Sequence, residues 1–118
     1  MSVMTVDEAS FEQEVLAAGS RVLVLFSKDG TTSRGEPNAS SKMSAFLTDF
    51  AATYQGPIKI LRKEFVEKGP LEEKYKVESA PTTEFFQNGE RVAELELVGN
   101  YANSSTFANK IEALEARA

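Results

Sequence analysis

The chain has no cysteine, no histidine and no tryptophan. Without thiols no disulfide can staple the fold, and no thiolate is available as nucleophile or metal ligand. Without imidazole the common general base near neutral pH is missing, and zinc, copper and haem lose their usual ligands. Cations are also in short supply: 13 Lys and Arg stand against 18 Asp and Glu, a net charge of −5. Nucleic acid and anionic membranes are polyanions, so that balance speaks against both as partners. No apolar run approaches the roughly 20 residues a membrane helix requires. Residues 1–8 lack the basic start and apolar core of a signal peptide. These absences lead us to expect a cytoplasmic protein with no metal and no cofactor.

What is present is ordinary globular material. The chain has 118 residues, 42% hydrophobic and 26% charged, which suits a single domain over residues 1–118. Residues 3–6 can form a first strand, after which Asp7 offers a helix cap. Phe11, Val15 and Leu16 then follow helical spacing up to Gly19. Residues 21–26, R-V-L-V-L-F, form a continuous apolar run, the mark of a strand buried on both faces, hence central and parallel. Residues 27–40 are polar and punctuated by two glycines and a proline. Met43, Phe46, Leu47, Phe50, Ala51 and Tyr54 then recur at amphipathic-helix spacing. Asn38 or Ser40 is the expected cap, and Gly56-Pro57 the stop.

Ile58, Ile60 and Leu61 open a strand expected to reach Phe65 and Val66. Gly69-Pro70 starts a short helix with Leu71 and Tyr75 on one face. Pro81 marks the entrance to another strand, because proline is excluded from helix interiors and central ladder positions. Asn88-Gly89 is a strong hairpin signal. Val92, Ala93, Leu95, Leu97 and Val98 are expected to form one returning strand that ends at Gly99. Phe107, Ile111 and Leu114 define a last helix capped by Asn103 or Ser104. The order β-α-β-α-β-α-β-β-α argues for a mostly parallel sheet with helices on both faces and one antiparallel edge.

Five patterns in that order resemble the thioredoxin family. They are V-L-V-L-F at 22–26, S-K-M at 41–43, Y-Q-G at 54–56, Y-K-V-x-x-A-P-T at 75–82 and F-x-N-G-E at 86–90, and Gly99 matches the family glycine after the last strand. The resemblance runs from Phe11 to Leu114. It implies an α/β thioredoxin-like fold, a central mixed five-stranded sheet flanked by four helices. It also implies a cis bond before Pro81, with Ala80, Pro81 and Thr82 as a platform for extended substrates.

The family chemistry is absent. Where thioredoxins carry W-C-G-P-C-K, this chain has a segment several residues longer, with Asn38-Ala39-Ser40-Ser41 in place of C-x-x-C. Leu25 matches the buried family aspartate, and Arg62 matches its lysine partner. Dithiol–disulfide exchange needs two sulfurs, so it is excluded.

The candidate site is therefore a binding site with no catalytic residue. The resemblance places a groove between Ala80-Pro81, Gly99-Asn100 and the 27–40 loop, where Lys28, Arg34 and Asn38 would supply polar contacts. A G-x-x-x-x-G pattern at Gly30 and Gly35 is not a phosphate loop, because Glu36-Pro37 follows in place of the required Lys and Ser/Thr. Ser40 and Ser41 read as helix-start residues. The other reading makes one of them the hydroxyl that steadies a glutathione thiolate, as in serine-type glutathione transferases. Arg62 and Lys63 read as snorkelling cations, or Arg62 as a tether to Asp29 or Glu36. Glu72-Glu73, Glu94-Glu96 and Glu112-Glu115 read as solvated faces.

The functional expectation is a redox-inactive module that binds a peptide or protein, chaperone-like or an assembly factor. The alternatives are a glutathione-binding enzyme and a structural domain with a vestigial groove.

Overall fold

The apolar run becomes β2 (Arg21–Ser27), in which every residue from Val22 to Ser27 is buried. The computed structural model describes residues 3–16 and 20–117. β3 (Lys59–Glu64) lies parallel to β2 on one side, with β1 (Met4–Val6) parallel beyond it. β4 (Thr82–Gln87) lies antiparallel on the other side. β2 is thus central as expected, but parallel to only one of its neighbours. Two short antiparallel segments, β5 (Glu90–Arg91) and β6 (Leu97–Val98), share the outer edge of β4. The mixed sheet has six strand segments in five positions.

Among the described residues, four α-helices cover it. α1 (Glu8–Phe11) runs on into a π-helical turn, Glu12–Leu16, and is capped by Asp7, which exchanges hydrogen bonds with Ser10. Gly19, its expected stop, lies outside the described residues. α2 (Ala39–Thr53), α3 (Pro70–Lys74) and α4 (Ser105–Glu115) follow. Pro70 takes the first position of α3, and Ser104 caps α4.

Alternation along β2 supplies two cores. Leu23 and Leu25 pack with Met43 and Leu47 of α2 and with Phe107, Ile111 and Leu114 of α4. Val22, Val24 and Phe26 pack with Phe11, Val15, Tyr75 and Phe86 on the other face.

Four expectations need correction. Residues 92–98 are not one strand: Ala93–Leu95 form a 3-10 turn between β5 and β6. Strict alternation would place Val92 on the face opposite Leu95 and Leu97. The turn changes the phase, so that all three are buried.

Lys63 does not snorkel. It is buried, and its ammonium donates to Glu72 at 2.6 Å and to the Glu64 carbonyl at 3.0 Å. Nor is Glu72 on a solvated face, since its side chain is fully buried and also accepts the Val66 N–H at 3.0 Å. A charge can be buried at this depth only with such a partner. Finally, β3 ends at Glu64, so Phe65 and Val66 fall past it.

Candidate functional site

Pro81 leads the chain into β4 through a cis Ala80–Pro81 bond, as the resemblance implied. Pro81 is buried, and its carbonyl accepts the Gly99 N–H at 2.8 Å. Gly99 sits at φ +108°, a left-handed conformation that glycine adopts without strain. Two residues on, the Tyr101 N–H meets the Met43 sulfur at 3.4 Å, which holds this turn against α2. Asn100 is exposed and accepts the Ala102 N–H at 3.0 Å. Thr82 is buried, its hydroxyl donating to the Ser79 carbonyl at 2.8 Å. Ala80 is half-buried, and neither its N–H nor its C=O is hydrogen-bonded to a described residue.

The polar segment between β2 and α2 is an ordered hairpin-like loop. Residues 28–37 are exposed, yet the segment is laced internally. Thr31 bridges Pro37, the Thr32 N–H donates to Glu36 at 2.7 Å, and the Asn38 N–H donates to Gly30 at 2.9 Å. Gly35 makes the turn at φ +80°.

The start of α2 then grips the loop. Asn38 caps the helix by accepting the Ser41 N–H at 2.8 Å, and its amide donates to the Lys28 carbonyl at 3.0 Å. The Ser41 hydroxyl accepts the Gly30 N–H and donates to the Gly30 carbonyl, both at 2.8 Å. Ser40 is buried, and its hydroxyl accepts the Lys28 N–H at 3.0 Å. Of the two acids considered as tethers, Asp29 faces Arg62 at 3.6 Å, while Glu36 does not. Asp29 also accepts the Ser44 hydroxyl at 2.8 Å, and Arg62 pairs more closely with Glu64 at 2.9 Å.

A cleft of about 370 Å³ opens between these parts, lined by Lys28, Asn38, Ala39, Ser40, Phe65 and Ala80. Of the residues chosen from the sequence, Lys28, Asn38, Ser40 and Ala80 meet there. Pro81 and Gly99 are joined at its flank by their hydrogen bond. Ser41 and Thr82 spend their hydroxyls on internal bonds, while Asn100 and Arg34 are exposed and do not line the cleft.

Phe65 was not anticipated as a site residue. Its only signal is an aromatic just past a strand, and such a residue is as readily core. Leu25, at the position of the family aspartate, is fully buried in the core beneath α2, with Arg62 opposite it on β3. No proton acceptor stands there, and Arg62 turns its charge to Asp29 and Glu64.

Among the described residues no helix is long and apolar enough to cross a membrane. Residues 2–113 match the family model described as Thioredoxin. A comparison with curated proteins finds no match.

Proposed function

Because the chain belongs to the thioredoxin family yet has no cysteine, we propose that it works by binding, holding an extended segment of a peptide or protein partner in the cleft beside Pro81. That it performs no dithiol–disulfide exchange follows from the missing cysteine thiols alone.

The observation that carries the reading is the backbone of Ala80, unpaired among the described residues, at the wall of the cleft. A strand-like segment finds there one donor and one acceptor, the pairing used in main-chain peptide capture. Phe65 offers an apolar contact, and the Lys28 ammonium, which makes no ion pair with a described residue, offers a charge at the rim. Two such hydrogen bonds at about 1 kcal/mol each, with one apolar contact, support weak and reversible capture. That strength suits a chaperone-like or assembly role better than a permanent complex.

The test is selection from a random peptide display library, followed by backbone NMR with a selected peptide. Shifts confined to Lys28, Asn38–Ser40, Phe65, Ala80 and Gly99, weakened by Phe65→Ala, support the reading. Failure to select any peptide, or shifts elsewhere, would leave a structural domain with an unused groove. A parallel glutathione titration separates the enzyme alternative, which requires shifts at Ser40 and Ala80 with the tripeptide alone.

A further inference from the structure

Away from the cleft, the sheet edge holds a charged cluster in an unusual place. Glu84 is the third residue of β4 and has no exposed surface. One of its oxygens accepts from Arg91 Nε at 3.0 Å, and the other is buried and accepts no hydrogen bond from a described residue. The Arg91 Nη2 reaches past it to Glu96 at 2.9 Å. Arg91 belongs to β5, and Glu96 immediately precedes β6. The guanidinium therefore spans the break that the 3-10 turn makes in the outer strand.

β6 pairs with Thr82 and Thr83, and the residue after it is Gly99, bonded to Pro81. We propose that Glu84, Arg91 and Glu96 form a proton-sensitive clasp that holds β6, and with it the Gly99–Asn100 turn beside the cleft, against β4.

The charge count explains the sensitivity. With Glu84 neutral, one guanidinium meets one carboxylate. With Glu84 ionised, two carboxylates share one guanidinium, and an oxygen with no donor sits out of reach of water, an expensive arrangement. The groups acting on Glu84 are Arg91 from β5 and Glu96 ahead of β6, while β2 presents Val24 across the ladder and β6 presents Val98 opposite Thr82. Burial first, and then the hydrogen bond shared with Glu96, push the Glu84 carboxyl up to about 8. Relief on ionisation comes from Glu96 turning out to water, which releases the lead-in to β6.

The lack of histidine and cysteine makes the test clean. Between pH 6 and 9.5 the other ordinary titrating group is the α-amino terminus. In carbon-13 and amide NMR across that range, the Glu84 carboxyl and the amides of Arg91, Leu97, Val98 and Gly99 should share one midpoint near pH 8. Exchange of those amides, corrected for intrinsic base catalysis, should quicken above it. Glu84→Gln should hold them in their low-pH positions throughout.

Ionisation of Glu84 below pH 6, or amides that do not follow it, would overturn the clasp. Should the variant not fold, the joint titration of the unmodified protein decides. The effect on capture rests on the binding reading. A selected peptide should bind severalfold more weakly at pH 9 than at pH 6.5, and equally at both in Glu84→Gln. A clasp that titrates without changing affinity would refute that coupling alone.

Discussion

Individual side chains show most sharply how burial changes chemistry. The Glu84 carboxyl is pushed from 4.5 up to about 8, chiefly by burial. Its folded form therefore holds the proton more tightly than its unfolded form, so its contribution to stability is whole below pH 4.5 and is lost as pH rises through 8. At 1.36 kcal/mol per unit, the loss is on the order of 3–5 kcal/mol at most. Thermal melts should show the midpoint falling between pH 5 and 8 in the native sequence and staying level in Glu84→Gln. A native midpoint that rises across that window would refute the assignment.

Lys63 and Glu72 are a second buried pair, at 2.6 Å. Lys63→Met leaves Glu72 charged and alone, at a cost of about 3–5 kcal/mol by urea unfolding. Replacing Glu72 by Leu in the same chain should recover much of that loss, since no lone charge then remains; the unpaired Val66 N–H is left behind. Leu25 completes the set. Leu25→Asp restores a family carboxylate but buries it in the core beneath α2, beside an Arg62 already turned to Asp29 and Glu64, so stability should fall while no disulfide chemistry appears.

Among the elements, the β2–α2 loop is ordered chiefly by hydrogen bonds. The Arg62–Asp29 contact is long and partly exposed, and such pairs are worth about 0–1 kcal/mol. Asn38, by contrast, caps α2 and holds the Lys28 carbonyl. Asn38→Ala should cost about 1–2 kcal/mol and speed amide exchange at Gly30 and Ser41, with little dependence on salt. A loop that loosens mainly with salt would reverse that ranking. The β4–β5 turn is equally specific: Asn88 and Gly89 both have positive φ, and a side chain on Gly89 would meet the Leu16 carbonyl at 2.7 Å. Gly89→Ala should therefore destabilise by about 1–3 kcal/mol, visible in the unfolding midpoint.

In the molecule as a whole, β2 contributes to both cores, as β3 and β4 do, and lies between those two strands. Local opening starts where few buried contacts and unpaired backbone coincide. The slowest amides to exchange should be those of Val22–Phe26 and Phe85–Phe86, and the fastest strands β1, β5 and β6. Slow exchange at β6 would contradict this order. A disulfide-reduction assay with dithiothreitol should show only the uncatalysed rate at any protein concentration.

What the amino-acid order could decide by itself is what depends on neighbours along the chain. Two-sided burial of 22–26 was plain in an unbroken apolar run, the Asn88-Gly89 turn in its dipeptide, and the α2 face in its 3.6-residue period. The loss of redox chemistry needed no geometry, because a missing atom cannot be supplied by folding. Other features required distant segments to meet. Glu72 looks like any surface glutamate of a short helix until β3 brings Lys63 to it. The 3-10 turn that breaks the outer strand appears only once Val92, Leu95 and Leu97 must all reach one core. Phe65 becomes a wall of the cleft only when α2 and Ala80 close around it. Each of these turns on the dielectric and contacts at one point in space, and those belong to the packed fold rather than to any stretch of sequence.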